Sequence, residues 1–126
     1  MLNDAAAKQE LPVEGTEKAA TIAEQLVSYV DNNYTSISNL SELTKLFNIS
    51  ESYIYKVFKT KFNTTPNKYI YNLRIDCACH WLEITDRTVK SIALGCGFKS
   101  SEHFMRVFKA HKGCTPKEYR KHTSVV

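Results

Sequence analysis

The segment SIALGCGFKSSEHFMRVFKAHKGCTPKEYR, residues 91–120, carries the clearest structural signals in this sequence. A short helix is predicted to begin at Ile92-Ala93, and Gly97 permits the tight turn that ends it. Ser100 is a preferred N-cap residue for the next helix, which has one apolar face: Phe104, Val107 and Phe108. Thr115-Pro116 supplies a cap and a first-turn proline for another helix, so the segment predicts three short helices in succession.

The same pattern occurs earlier, in LTKLFNISESYIYKVFKTKFNTTPNKYI, residues 43–70. An offset of 50 residues aligns seven identical pairs: Ser50, Val57, Phe58, Lys59, Thr65, Pro66 and Tyr69 with Ser100, Val107, Phe108, Lys109, Thr115, Pro116 and Tyr119. Lys56 also meets Arg106. Upstream of the serine the best offset is 49, because the second turn holds one extra residue, Lys99. The chain therefore contains two copies of one supersecondary unit.

The first copy has the pattern of a helix-turn-helix. Asn39 caps its first helix, with Glu42 placed as in a capping box, and the predicted buried face is Leu40, Leu43, Leu46 and Phe47. Asn48-Ile49 has room only for a tight turn, and Ser50 caps a second helix with the apolar face Tyr53, Ile54, Val57 and Phe58. The opposite face is polar and basic: Ser52, Tyr55, Lys56 and Lys59. Two short helices of which the second is basic on its outward side are typical of DNA-binding units.

In the second copy the outward residues of the corresponding helix are Met105, Arg106 and Lys109. Thr65-Pro66 opens the longest helix, which keeps its apolar period to about Glu83. An earlier helix is predicted from about Glu17, with the apolar stripe Ile22, Ala23, Leu26, Val27, Val30 and Tyr34. The prediction is an all-α fold: a flexible tail or linker at 1–18, helix-turn-helix subdomains at 19–65 and 85–126, and a long linking helix at 66–84.

The length of the linking helix predicts how the two units meet DNA. From Pro66 to about Leu82 it spans roughly 25 Å at about 1.5 Å per residue. A duplex presents its major groove every ~34 Å, so two units of finite width reach successive grooves on one face. A monomer then contacts an asymmetric site of roughly 20 base pairs without needing a two-fold dimer.

Charge is unevenly distributed along the chain. The net charge is +4, but residues 1–18 hold four acidic residues and two lysines, so they carry −2 and the remainder carries +6. A basic body suits a polyanionic partner, although charge alone does not separate DNA from RNA or an anionic membrane. No apolar run approaches the ~20 residues of a membrane span, and the N-terminus is no signal peptide, so a cytoplasmic location is expected.

The four cysteines (Cys77, Cys79, Cys96 and Cys114) form no Cys-x-x-Cys pair. Cys77 and Cys79 lie ~200° apart on a helix, so we expect the cysteines to be small, reduced, largely buried residues. His80 beside Cys77 has no second pair to complete a tetrahedral metal site, and no nucleophile turn or phosphate loop is present. No metal, cofactor or catalytic residue is predicted.

From about Ile22 to Arg120, about 80% of the chain, the sequence resembles the DNA-binding domain of AraC/XylS transcription regulators. The first half matches at Tyr29-Val30, Asn33-Tyr34, Leu43 to Ser50, Phe58-Lys59, Pro66 to Tyr69, Arg74, Ala78 and Leu82. The more specific second half matches at Ile92-Ala93, Gly97-Phe98, Ser100, Phe104, Arg106, Phe108-Lys109, Gly113, Pro116 and Tyr119-Arg120. The sequence departs from the family pattern at Thr44, at Trp81 and at Asn63, where the family usually has glycine.

The resemblance implies seven helices in two subdomains, binding to double-stranded promoter DNA, and activation through contacts to RNA polymerase. By position it assigns base contacts to Ser52, Tyr55 and Lys56 in the first unit and to Ser101, Glu102, Met105 and Arg106 in the second. Lys59 and Lys109 are further outward cations, and the caps Ser50 and Ser100 are expected near phosphates.

Two alternatives stay open at this level. A helical protein–protein module, such as an anti-activator that has kept the fold without binding DNA, has the same apolar pattern. Residues 1–18 are either a natural start or the end of a linker from a preceding sensing or dimerisation domain. Arg74 is expected to have a structural role that ties the linking helix to a subdomain.

Overall fold

A computed structural model describes residues 17–123, with side chains described from residue 21 onward. Within that range all regular secondary structure is α-helical: α1 (Glu17–Asn33), α2 (Leu40–Phe47), α3 (Glu51–Phe62), α4 (Pro66–Ile84), α5 (Val89–Gly95), α6 (Ser101–Lys112) and α7 (Pro116–Thr123). The predicted all-α fold of two helix-turn-helix units and a long helix is confirmed. The predicted tail lies outside the described residues, except Glu17 and Lys18, which begin α1. None of the described helices is both long and apolar enough to cross a membrane.

Each unit has its own apolar core, and α4 belongs to both. The first core consists of Ala23, Leu26, Val30, Ile37, Leu40, Leu43, Ile54, Val57, Phe58 and Ile70. The second consists of Ile75, Ala78, Cys79, Leu82, Ile92, Ala93, Cys96, Phe98, Phe104 and Phe108. The beginning of α4 therefore packs into the first core, and the rest of the helix packs into the second. A single continuous helix fixes the spacing of the two units, because both cores pack against it.

Backbone conformation repeats between the units along with the sequence. Asn48 and Gly97 end the first helix or turn of each unit with positive φ angles of 54° and 105°. Asn63 and Gly113, with φ angles of 55° and 78°, follow the second helix of each unit. Asparagine tolerates this left-handed region better than most residues with a side chain. The departure from glycine at Asn63 is therefore compatible with the turn.

Two details of the predicted helices are wrong. Leu46 is 56% exposed instead of buried, because it lies ~120° around α2 from Leu40 and outside the apolar stripe. The first helix of the second unit begins at Val89, before the predicted Ile92-Ala93. Its start is set by Thr88, whose hydroxyl accepts a hydrogen bond from the Ser91 amide at 3.0 Å. A cap determines this start, whereas apolar spacing shows only the buried part of the helix.

Arg74 connects α4 to the first unit. Its side chain is only 8% exposed, and its Nε and Nη2 atoms donate to the Tyr34 carbonyl at 2.9 and 2.7 Å. Nη2 also donates to the Ile37 carbonyl at 2.6 Å. These carbonyls lie in the segment between α1 and α2, so the guanidinium hydrogen-bonds backbone groups that no helix satisfies. The expected structural role of Arg74 is confirmed.

Candidate nucleic-acid interface

The outward face of α3 is exposed along its whole length. Ser52, Tyr55, Lys56 and Lys59 are all exposed, whereas Ile54, Val57 and Phe58 are buried against α2 and the beginning of α4. Tyr55 leaves 41% of its surface accessible, which is unusual for so large an aromatic side chain. The core contacts thus fix the rotation of α3, and they direct two cations and a tyrosine away from the protein.

The corresponding face of α6 is similar but less uniform. Glu102, Met105, Arg106 and Lys109 are exposed, and Phe104 and Phe108 on the other side are fully buried. Ser101 is half-buried, so it presents less surface than its predicted role in base contact suggested. Glu102 offsets part of the positive charge of Arg106 and Lys109. Whether these residues and those of α3 contact DNA stays a prediction.

The serine caps of α3 and α6 use their hydroxyl groups only as acceptors in the capping hydrogen bonds. The Ser50 hydroxyl oxygen accepts from the Tyr53 amide at 3.0 Å, and the Ser100 hydroxyl oxygen accepts from the His103 amide at 3.1 Å. A hydroxyl group that accepts in this way still has its proton to donate. The helix N-terminus also carries unpaired amide groups and the positive end of the helix dipole. Each cap therefore has the chemistry to bind a phosphate oxygen.

His103 lies on α6 next to the contact between the two units. Its ring packs edge-on against Tyr71 and Phe98, with centroid distances of 5.7 Å in both cases. A cleft of about 200 Å³ beside it is lined by Thr35, Ser36, Ile37, Ser38, Tyr71, Arg74, Gly97, Lys99 and His103. Burial lowers the pKa of His103, and the neighbouring charges of Arg106, Arg74 and Lys99 lower it further.

We expect His103 to titrate below the ordinary histidine pKa of 6.5. Because the folded pKa is depressed, the unfolded chain takes up this proton first as the pH falls. The contribution of His103 to stability is therefore complete above about pH 6.5 and is lost as the pH falls through the folded pKa. A histidine ring NMR titration measures the midpoint directly, with His103→Gln to assign the resonance. A midpoint at or above 6.5 would contradict the expectation.

The sequence did not predict the structural roles of several residues in this region. Arg120 donates from Nε to the Leu82 carbonyl at 3.2 Å and from Nη2 to the Thr85 carbonyl at 3.1 Å, at the end of α4. Arg120 thus ties α7 to the end of α4 in the second unit, as Arg74 ties α4 to the segment after α1 in the first. The tyrosine pair Tyr69 and Tyr119, visible in the repeat, donates to carboxylates three helices earlier: to Asp31 of α1 at 2.6 Å and to Glu83 of α4 at 2.5 Å. The repeat was a signal for the tyrosines, but the carboxylate partners follow only from the packing.

Comparison with known proteins agrees with this architecture. A family model described as "Helix-turn-helix domain" matches residues 43–122. The chain is 36% identical over 113 residues to the raffinose operon transcriptional regulatory protein RafR of Pediococcus pentosaceus. This match covers 87% of this chain and 41% of that protein. It is 30% identical over 108 residues to the HTH-type transcriptional activator RhaS of an Enterobacter species, covering 86% and 39%. The chain thus spans less than half the length of these relatives.

Solved structures show the same fold. The C-terminal domain of the two-component response regulator YesN from Fusobacterium nucleatum superposes with a TM-score of 0.74 at 29% identity, covering 79% of this chain and 98% of that one. The DNA-binding domain of AdpA, solved in complex with a target DNA, superposes with a TM-score of 0.74 at 21% identity, covering 79% and 90%.

Two capped helix-turn-helix units on one shared helix, together with these matches, define a DNA-binding domain of a transcription regulator and not an enzyme. More narrowly, the chain belongs to the AraC/XylS family of bacterial regulators.

Proposed function

We propose that this chain binds a specific double-stranded promoter sequence by placing α3 and α6 in two successive major grooves. The observation that carries the proposal is the pair of exposed, cation-bearing helix faces. Fully buried phenylalanines hold each helix on its unit: Phe58 for α3, and Phe104 and Phe108 for α6. An α-helix fits the major groove, where every base pair presents a distinct set of donors and acceptors.

The side chains of the two faces differ in the bases they suit. Arg106 has the planar, two-pronged donor geometry that matches guanine O6 and N7. Lys56 contacts the same atoms with less directionality. Glu102 accepts from cytosine N4, while Tyr55 and Met105 offer apolar contact to a thymine methyl group. Ser52 and Ser101 offer shorter polar contacts, and Ser101, which is half-buried, presents less of its surface to a base than Ser52 does.

Phosphate contacts hold the two units in register on the duplex. We assign them to Lys59 and Lys109, one turn further along the recognition helices, and to the caps Ser50 and Ser100. The 19 residues of α4 give a length of roughly 28 Å at about 1.5 Å per residue. Since both cores pack on this helix, the spacing of the units is fixed before DNA binds. A site of roughly 20 base pairs without two-fold symmetry follows.

The wider roles are proposed for the intact protein. Relatives that are twice as long or longer are named as regulators of operons and as activators. We propose that this chain likewise activates transcription from the bacterial chromosome in the cytoplasm, by contact with RNA polymerase. In that case a sensing or dimerisation domain preceding α1 supplies the response to a signal.

Alanine substitution tests the assigned contacts. Lys56→Ala and Arg106→Ala are each expected to weaken binding to the cognate promoter by about 1–3 kcal/mol, or roughly 5- to 150-fold, because a base contact is lost. The measurement is fluorescence anisotropy with a promoter fragment found by selecting bound fragments from the source genome. Unchanged affinity after both substitutions would contradict the assignment of these residues as base contacts.

Matched controls are available on the same two helices. Lys61 is exposed on α3 but lies beside α1, ~140° around the helix from Lys56. Lys112 is exposed on α6, on the side near α4, where its positive charge acts to lower the pKa of the Cys79 thiol. Lys61→Ala and Lys112→Ala remove the same charge from each helix, and we expect them to change affinity far less. An equal loss in all variants would indicate attraction by net charge alone.

Salt dependence separates this proposal from the anti-activator alternative. When a protein binds through phosphates, the logarithm of its binding constant falls linearly with the logarithm of the salt concentration, with a slope of about 0.9 per phosphate neutralised. Lys59→Ala is expected to reduce that slope by about 1, since Lys59 is assigned to a phosphate. A chain that acts only through protein contacts would show neither promoter binding nor this slope.

A further inference from the structure

The sulfur atoms of Cys77 and Cys96 lie 3.0 Å apart. Cys77 is half-buried on α4, and Cys96 is fully buried at the C-cap of α5, where the turn to α6 begins. The two residues are 19 positions apart in sequence, so only the packing of α5 on α4 brings them together. Neither takes part in the proposed DNA contacts.

The surroundings of the two thiols differ. The pKa of Tyr34, which directly follows α1, is raised to about 12, first by burial and then by its interaction with the neighbouring Cys77. Burial is also the largest cause that raises the pKa of the Cys96 thiol, and the positive charge of Arg87 acts in the opposite direction. Cys77 is therefore the thiol that a small oxidant from solvent reaches first, and Cys96 is held in contact behind it.

We propose that Cys77 and Cys96 are an oxidisable dithiol that closes to an intramolecular disulfide on reaction with a peroxide. The Cys77 sulfur, as its thiolate, attacks one peroxide oxygen, the O–O bond breaks, and Cys77 becomes a sulfenic acid; the departing hydroxide takes up the proton that Cys77 lost and leaves as one water. The Cys96 sulfur then attacks the Cys77 sulfur, the S–O bond breaks, and the departing hydroxide takes the Cys96 proton as a second water. The two thiols lose two electrons, and hydrogen peroxide gains them.

The bond would join the linking helix to the turn that orients α6. Closing it brings the sulfurs from 3.0 Å to about 2.05 Å, a movement of roughly 1 Å. Because Cys96 precedes Gly97 in that turn, the cross-link restrains the second helix-turn-helix on α4. It also restricts the unfolded chain, and oxidation should therefore raise the melting temperature.

Thiol counting on the full chain tests the proposal. The reduced protein is treated with hydrogen peroxide at low protein concentration, quenched, denatured and labelled with a maleimide reagent. We expect two of the four cysteines to become unreactive, with a Cys77–Cys96 linked peptide in the mass spectrum and a melting temperature several degrees higher. Dithiothreitol should reverse all three changes.

Single substitutions identify the partners. Cys96→Ala is expected to leave Cys77 as a sulfenic acid that dimedone captures, and Cys77→Ala to abolish the disulfide. Cys114→Ala is the matched control. Cys114 is half-buried like Cys77, but within residues 21–123 the sulfur–sulfur contact is the one between Cys77 and Cys96. The control should form the disulfide as the wild type does. Four reactive thiols after peroxide, or a disulfide that requires Cys114, would overturn the proposal.

Discussion

Replacing Gly97 with alanine is expected to lower the free energy of unfolding by about 2–5 kcal/mol, from backbone strain and overpacking together. Gly97 has a φ angle of +105°, a conformation that residues with a side chain rarely adopt. A Cβ atom there would also lie 2.8 Å from Arg74 Nε and 2.9 Å from both the Cα and the carbonyl oxygen of Thr35. Urea unfolding followed by circular dichroism measures the change.

Two other glycines provide matched controls for that substitution. Gly113 also has a positive φ angle, +78°, but a Cβ atom there would meet nothing within 4 Å. Gly113→Ala should therefore cost only the backbone term, about 1–2 kcal/mol. Gly95 ends α5 with an ordinary φ, and its added Cβ would make one contact at 3.5 Å with Arg87, so Gly95→Ala should leave stability nearly unchanged. If Gly97→Ala costs no more than Gly113→Ala, the close approach to Thr35 and Arg74 is not tight in solution.

The second large effect is expected at Arg74. Arg74→Met keeps much of the side-chain volume but removes three hydrogen bonds to the Tyr34 and Ile37 carbonyls. Buried acceptors without donors cost about 1–3 kcal/mol each, so we expect a loss of about 2–4 kcal/mol, reduced by relief from burying a charge. Burial is also what lowers the pKa of Arg74, although the guanidinium stays charged. The same urea titration measures the loss.

Arg106→Met is the control for removal of a cation. Arg106 is exposed, so its loss should leave stability within about 0.5 kcal/mol of the wild type while weakening DNA binding. Arg74→Met should show the opposite pattern at temperatures where it stays folded. Because Arg74 Nε is the atom nearest to a Cβ at Gly97, the costs of Gly97→Ala and Arg74→Met should not add in the double variant. Strict additivity would indicate that the two residues do not share one contact.

Much of the fold was predictable because its signals are local. The caps Ser50, Thr65 and Ser100 each bond the backbone amide three residues on, as a side chain of that type at that position does in most helices. The repeat extended these signals to the candidate interface, since a residue exposed on α3 predicts an exposed counterpart on α6. Leu46 shows the limit of periodicity. Whether an apolar residue at the border of a stripe is buried depends on which other helices pack beside it, and the spacing of residues along one helix does not show that.

By itself, the sequence determined the helices, their duplication and the outward faces of α3 and α6, because caps and periodicity act within a few residues. Only the tertiary structure decided which groups meet where other segments pack on α4: Arg74 on the Tyr34 and Ile37 carbonyls in the first unit, and Cys77 beside Cys96 in the second. These contacts join residues 19 to 40 positions apart, and no local pattern specifies which groups they pair. They arise because two cores pack on one helix, which brings buried polar groups together and obliges each to find a partner.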